Sequence, residues 1–206
     1  MLRGVQEWVG YRQDAFGDSI AVWSDGADFE ALRTRWNADS AFVEAMIAHG
    51  LVARDPLAAE ALIHLDLDHE ARERFCRVLT ACLDSQSIGF RLRAVQALYV
   101  LSSDESWATE VVRVLLGAGF WGDRMEAARV LGQFSATCPL IRALAQAVED
   151  PDFLVRRQAA TTLLGFAGLD GDAELLAALG SETTSQQWAA AGRQLAQRAT
   201  MLAESR

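Results

Sequence analysis

A nine-residue pattern recurs along this chain at an almost fixed interval, and it constrains the fold more than any other feature. The clearest copy is Val155-Arg156-x-x-Ala159-Ala160-x-x-Leu163. Copies in the same register begin at Leu57, Phe90, Asp123, Val155 and Gln187, at intervals of 33, 33, 32 and 32 residues. Self-similarity with a period of this length is typical of stacked supersecondary units, each of which buries its apolar face against its neighbours.

The spacing inside the pattern predicts a helix that is packed on several sides. Small residues three and four steps after the arginine position, and a leucine seven steps after it, lie on one helical face. The stretches between the copies also carry helical apolar periodicity: Leu67–Leu83, Trp107–Leu116, Leu140–Val148 and Asp172–Leu179. Each unit is therefore predicted to be two antiparallel helices of about 10–15 residues joined by short turns.

Capping residues and helix breakers mark the ends of these helices. Asp55-Pro56 and Asp150-Pro151 are typical of an N-cap followed by proline at the first helical position, and Asp68 can cap a helix that begins near His69. Gly117-Ala118-Gly119 and Gly168–Asp172 are predicted breaks. Because no segment alternates apolar and polar residues long enough for a strand, the expected fold class is all-α.

The stretch from Asp150 to Leu163 resembles the HEAT-like repeat, in the short variety also found in bilin lyases. The resemblance covers roughly residues 39–200 and is strongest over 84–166. It implies a right-handed α-α superhelix of about five helical pairs, with residues 38–206 forming one continuous solenoid.

The same resemblance implies a ladder of aspartates and arginines along the stack. The matching positions are Asp150 with Arg156, and Asp84 with Arg91, whereas Arg124 has Asp123 beside it. The ladder is expected to stop at both ends, where Ala58 and Trp188 replace the arginine.

Residues 1–37 carry a high density of aromatic side chains: Trp8, Tyr11, Phe16, Trp23, Phe29 and Trp36. Helices are predicted over 1–15 and 27–37, with turns at Gly17-Asp18 and Asp25-Gly26. One interpretation is an N-terminal cap that covers the exposed end of the first repeat. The other is an aromatic contact patch.

Composition narrows the expected compartment. Hydrophobic residues make up 51% of the chain, but no run approaches the ~18 apolar residues of a membrane span, and the N-terminal stretch lacks a long apolar run. Cys76, Cys82 and Cys138 form no CxxC motif and are interpreted as small core residues in a reducing compartment. A cytoplasmic monomer without membrane contact is expected.

The charge balance favours a basic protein partner over nucleic acid. The 19 basic residues are all arginine, the acidic residues number 28, and the net charge is −9. Nucleic-acid binding needs cations to neutralise phosphates, whereas an acidic surface steers a basic protein toward it.

No arrangement of residues indicates catalysis or a cofactor. His64-x-Asp66-x-Asp68-His69-Glu70 contains metal-binding residue types, but it lacks zinc spacing, and its acids are explained by helix capping and by the helix dipole. Nucleophile motifs and phosphate-binding glycine loops are absent. We therefore expect no metal site and no catalytic residues.

The remaining candidate site is the polar face of the second helices, which line the concave surface in stacked helical pairs. Trp121 is added because Gly119 and Gly122 flank it, although Trp121, Phe90 and Phe153 could instead fill the core at the turns. The candidate partner-binding residues are Glu60, His64, Arg93, Gln96, Trp121, Glu126, Arg129, Gln133, Gln158, Thr162, Arg193 and Gln197.

The leading hypothesis is a non-catalytic module that grips one protein, as a bacterial immunity protein, an inhibitor of a basic toxin or enzyme, or an adaptor. The alternative is an enzyme on a HEAT-like scaffold, either bilin lyase-like or DNA glycosylase-like. The glycosylase would require Arg93, Arg129, Arg157 and Arg193 to cluster with tryptophans on one face, and the lyase would bind a tetrapyrrole. A third hypothesis is self-assembly through apolar ends.

Overall fold

The computed structural model describes residues 2–16, 27–169 and 184–205. These ranges contain α-helices and two short 3-10 turns, Leu62–His64 and Glu105–Trp107, and they contain no strand, which confirms the all-α prediction for them. The helices are α1 (Leu2–Phe16), α2 (Phe29–Ala38), α3 (Ser40–Val52), α4 (Pro56–Ala61), α5 (His69–Ala81), α6 (Ile88–Ser102), α7 (Ala108–Gly117), α8 (Trp121–Leu131), α9 (Cys138–Ala147), α10 (Phe153–Phe166) and α11 (Ser185–Glu204).

The chain divides into two compact units, residues 1–104 and 105–206. The predicted boundary at residues 37/38 falls inside the first unit, at the end of α2. Each unit contains two consecutive helical pairs. Within each pair, the helix that is earlier in the chain is called the first helix and the later one the second helix. The predicted helix over Asp172–Leu179 and the predicted turns at 17–18, 25–26 and 170–172 lie outside the described residues.

The first unit consists of the pairs α3/α4 and α5/α6, with α1 and α2 at its N-terminal side. Second helix α4 packs on second helix α6, first helix α3 packs on first helix α5, and α1 and α2 both pack on α3. Trp8, Tyr11 and Phe16 of α1 are buried. Their burial places much of the N-terminal aromatic cluster in the core of this unit.

The second unit consists of the pairs α7/α8 and α9/α10, followed by α11. Here α8 packs on α10, α7 packs on α9, and α11 packs on both α9 and α10. The order of contacts therefore repeats that of the first unit: each helix touches its partner in the pair and the equivalent helix of the next pair.

The recurring pattern explains these contacts. Its small residues and leucines are fully buried in α6, α8 and α10, including Ala94, Ala128, Ala160 and Leu163. At the equivalent position of α11, a Cβ added to Gly192 would lie 3.0 Å from Val148 Cγ1. Small residues on this face let neighbouring helices approach closely, as the sequence predicted.

The helix caps agree with the sequence in two of the three predicted cases. Asp55 accepts a hydrogen bond from the amide of Leu57, and Asp68 accepts one from the amide of Ala71. The third prediction is wrong: Asp152, rather than Asp150, caps α10, which begins at Phe153. Asp150 is needed elsewhere, because its carboxylate holds an arginine of the preceding helical pair.

The predicted breaks at Gly117–Gly119 and Gly168 are confirmed, and Gly168 has the left-handed φ of +67° that favours glycine. The cysteines differ from their prediction, since Cys82 is buried, Cys76 is half-buried and Cys138 is exposed at the start of α9. No helix within the described ranges is both long and apolar enough to cross a membrane.

Candidate functional site

In the first unit, the polar face of the second helices is organised around one ion pair. Arg93 of α6 lies with its Nε 3.3 Å from Glu60 Oε2 of α4, and its Nη1 donates to Gln96 Oε1 at 3.0 Å. The structure therefore brings three of the predicted binding residues together. Arg93 ties the two second helices to each other while remaining partly exposed.

His64, predicted for the same face, lies at the end of the 3-10 turn after α4. Its ring stacks on Phe29 with centroids 3.8 Å apart and an interplanar angle of 15°. Burial lowers the pKa of His64, the nearby Glu60 acts to raise it, and Arg33 adds to the lowering. The imidazole is therefore favoured in its neutral form, packed on an aromatic ring of α2.

In the second unit, the face carries an ion pair within α8. Arg129 donates from Nη2 and Nε to the two carboxylate oxygens of Glu126, at 2.6 and 2.8 Å. Arg129 is exposed, and the bidentate geometry fixes its guanidinium. Besides Trp121, the other predicted residues of this unit that reach the surface are Gln133, Gln158, Arg193 and Gln197.

Two predicted binding residues are buried. Gln96 and Thr162 each retain only 7% of their exposure. The Thr162 hydroxyl donates to the carbonyl oxygen of Ala128 at 2.9 Å, which joins α10 to α8. The polar periodicity did not show how closely the second helices pack. Thr162 links two helices, whereas Gln96 accepts a hydrogen bond from Arg93 of its own helix, and neither side chain is exposed to a partner.

The strongest contact between helical pairs in the second unit joins Arg124 of α8 to Asp150 of the α9–α10 turn. Arg124 Nε and Nη2 donate to Asp150 Oδ2 and Oδ1 at 2.7 and 3.0 Å. Burial acts to raise the pKa of Asp150, but the hydrogen bonds from Arg124 and from the amide of Asp152, with the charges of Arg124 and Arg156, hold that pKa below its ordinary value. The Asp150 hydrogen bond raises the pKa of Arg124.

The predicted pairing of Asp150 with Arg156 is therefore wrong at the level of side chains. Arg156 Nη1 instead donates to the backbone carbonyl oxygens of Asp150 and Pro151, at 2.9 and 3.0 Å. Its guanidinium carbon also lies 5.5 Å from the centroid of the Trp188 ring. The aspartate selects the arginine of the preceding pair because both groups lie at the junction between pairs.

In the first unit, Asp84 contacts an arginine that the sequence pattern did not nominate. Arg54 Nη2 lies 3.4 Å from Asp84 Oδ1, whereas the pattern suggested Arg91. Arg54 follows α3 and has a left-handed φ of +59°, an uncommon conformation for a residue with a side chain. Its guanidinium also contacts Cys82 Sγ. Ala58 stands at the arginine position of the pattern in α4 and cannot form this ion pair. Arg54 supplies the guanidinium to Asp84 instead.

A further junction was missed by the sequence analysis. Arg12 Nε of α1 lies 2.9 Å from Asp55 Oδ2, and Trp8 Nε1 donates to the same oxygen at 2.9 Å. The similarity of Asp55-Pro56 to Asp150-Pro151 was the available signal. In both units, aspartates that precede second helices thus hold arginines from earlier elements of the same unit.

The metal-binding residue types near residue 64 do not converge. Asp68 is a helix cap, His64 stacks on Phe29, and His69 lies with its Nε2 3.4 Å from Glu73. Within the described ranges, no three His, Cys, Asp or Glu side chains are grouped as metal ligands would be. His64, Asp68 and His69 are thus each engaged in a different contact.

Trp121 and its neighbour Phe120 stand out at the start of α8. Phe120 is 59% exposed and Trp121 is 38% exposed, and their ring centroids are 5.3 Å apart. By contrast Phe90 is buried, and Phe153 packs edge-on against Trp188. The sequence analysis singled out Trp121 but missed Phe120, although the spacing Phe120-x-Gly122 carried the signal.

A groove of about 550 Å³ runs beside this aromatic pair, between the α7–α8 and α9–α10 turns. Its lining includes Leu116, Gly119, Glu149 and the Arg124–Asp150 pair. A second groove, of about 530 Å³, lies between first helices α3 and α5 and is bridged by Arg74 and Glu44 at 2.7 Å. Both grooves are open to solvent.

Comparison of the chain with protein-family models, with curated proteins and with solved structures finds no match. Arguments about function therefore start from the side chains described above.

Proposed function

We propose that this protein is a non-catalytic binding module that grips one basic protein partner through the second helices, as an inhibitor or an adaptor. The proposal includes the finer fold hypothesis, a right-handed HEAT-like superhelix in which the second helices line the concave side. The repeated order of helix contacts within each unit supports it.

The observation that carries the proposal is the fixed geometry of charged groups on the second helices. Arg129 is held by both oxygens of Glu126, and Arg93 is held between Glu60 and Gln96. Side chains that are already immobilised lose less conformational entropy when a partner binds. Ordered guanidinium and carboxylate groups also give a surface the charge pattern that selects one partner.

The net charge of −9 supports a basic partner. An excess of carboxylates raises the rate at which a cationic protein meets this surface, and the effect weakens as salt screens it. The arginines of the second helices then fix the orientation of the bound partner, because they repel a wrongly placed cation.

The test is affinity capture of the tagged protein from its own cells, with a series of salt washes, using two charge-reversal variants. Arg129→Glu alters the second helix α8, whereas Arg113→Glu alters the first helix α7. The two arginines are matched, since each is exposed and forms an i,i+3 ion pair with a glutamate of its own helix.

We expect wild-type protein and the Arg113→Glu variant to retain one stoichiometric protein that leaves at high salt, and the Arg129→Glu variant to lose it. Equal retention by both variants would place the interface elsewhere. Recovery of nucleic acid or a coloured small molecule in place of a protein would contradict the proposed function.

A further inference from the structure

Phe120 and Trp121 form an exposed aromatic pair at the junction between α7 and α8. The ring centroids lie 5.3 Å apart with an interplanar angle of 49°, and both side chains are exposed to solvent. Isolated exposed apolar side chains are common on protein surfaces, but two adjacent aromatic rings at one turn are a concentrated patch of the kind found at binding sites.

The turn that carries this pair is held by its surroundings. A Cβ added to Gly122 would lie 2.5 Å from Phe120 Cε1, so the Phe120 ring rests against backbone that only glycine leaves open. Arg124 Nη1 donates to the carbonyl oxygens of Ala118 and Gly119, at 2.9 and 3.0 Å, while its other nitrogens hold Asp150. The turn that presents the rings is therefore anchored to the next helical pair.

Two carboxylates lie close to the turn that carries the aromatic pair. Asp123 lies in the first turn of α8, two residues after Trp121, and exposed Glu149 lines the groove that also contains Gly119. Neither forms an ion pair with a cation of the described residues, whereas Asp150 in the same groove is neutralised by Arg124. The patch thus combines ring faces with uncompensated negative charge.

We propose that this patch, made of Phe120, Trp121, Asp123 and Glu149, receives an arginine side chain of the basic protein partner. A guanidinium stacks on aromatic faces and donates to carboxylates at the same time, which an ammonium does less well. The excess of acid at the patch supplies the charge complementarity. This inference rests on the proposed function and names the partner group that one part of its surface binds.

The first test follows the Trp121 indole N–H resonance of the full chain by ¹⁵N–¹H NMR, assigned with a Trp121→Phe variant. The probe is an acetylated and amidated glycine–serine peptide that carries two arginines. The control peptide carries citrulline, which keeps the shape of arginine without its charge. We expect a saturable shift with the arginine peptide at millimolar concentration. No shift, or an equal shift with citrulline, would overturn the inference.

A matched pair of glycine variants tests the role of the Phe120 ring. Gly122 is the second residue of α8 and Gly89 is the second residue of α6, where an added Cβ meets nothing within 4 Å. Gly122→Ala should displace Phe120 and weaken binding of the arginine peptide at least about threefold, while Gly89→Ala should leave it unchanged. Unchanged binding by Gly122→Ala would contradict a role for the ring.

The captured partner separates this inference from the proposed function. If Arg129→Glu abolishes capture but Trp121→Ala does not weaken it, the arginine site is wrong and the proposed function stands. If wild-type protein captures no protein, the proposed function fails, while the peptide titration still decides whether the patch binds a guanidinium.

Discussion

The two units use the same kind of junction between elements but build it with different geometry. In the second unit, Arg124 and Asp150 form a bidentate pair whose side chains are only 14% and 9% exposed. In the first unit, Arg54 meets Asp84 at 3.4 Å, and the two side chains are 34% and 84% exposed. In this comparison Arg124, at the helical pattern position, forms the less exposed pair, whereas Arg54, from the turn after α3, forms a solvated one.

This difference has an energetic consequence. Removing one member of a buried ion pair leaves an uncompensated charge in a poorly solvated place, but an exposed pair contributes little because water and salt screen it. Junctions with the same residue types are therefore expected to respond differently to mutation.

The largest effect is expected for Arg124→Ala, which removes the ionic partner of the Asp150 carboxylate and the side-chain donor to two backbone carbonyls. We expect the free energy of unfolding to fall by about 3 kcal/mol. Chemical denaturation, combined with hydrogen exchange of the α8 and α10 amides, measures it. Arg113→Ala is the control, because that ion pair lies within one helix and its arginine is exposed, so the substitution should change stability by less than about 0.5 kcal/mol. Equal effects would show that the buried junction is not special.

A smaller loss is expected for Ala160→Leu, which overfills the contact between second helices. Ala160 is fully buried, and the equivalent position of α6 holds Val95, which is also fully buried. We expect a loss of about 1–3 kcal/mol, measured as a shift of the denaturation midpoint. A neutral result would mean that the helix packs on a different face.

Arg156→Ala tests the last pattern arginine along the chain, which lies over Trp188 and donates to backbone carbonyls. The loss of these contacts should cost about 1–2 kcal/mol. The thermal midpoint measures the loss, with the exposed neighbour Arg157→Ala as the control. If the two variants unfold alike, the contacts of Arg156 do not stabilise the unit.

Arg54 offers a test through backbone conformation. Arg54→Ala removes the side chain but keeps the left-handed φ unfavourable, whereas Arg54→Gly removes the side chain and relieves the strain. We expect the glycine variant to be more stable than the alanine variant by about 0.5–1 kcal/mol in thermal unfolding. The reverse order would argue that this turn changes its conformation once the arginine is gone.

The smallest expected effect concerns pH. Because the pKa of Asp150 is lower in the folded protein than in the unfolded chain, the stability that this carboxylate contributes is complete above the unfolded pKa and is lost as the pH falls through the folded pKa. Unfolding of wild-type protein and Asp150→Asn in an acidic pH series measures this contribution. The gap in stability between them should narrow toward acid, and a constant gap would contradict the assignment.

The sequence predicted the helices because their apolar period, their small residues and their caps are local features. It could not predict which arginine Asp150 binds, because the choice depends on how one helical pair sits on the next. The candidate binding surface could be predicted from the sequence only in part, for the same reason. Glu60 and Arg93 converge as expected, whereas Gln96 and Thr162 are buried by helix packing that the polarity of the residues does not show. Arg54 was missed because nothing local marks a left-handed arginine.

Site-specific photo-crosslinking tests the proposed binding face most directly. A benzophenone amino acid is placed at Gln158 of second helix α10 or, as the control, at the exposed Thr109 of first helix α7, and each protein is irradiated with the captured partner. We predict that the partner is crosslinked from position 158 and not from position 109. Crosslinking from position 109 alone would show that the partner binds the first helices and would contradict the account.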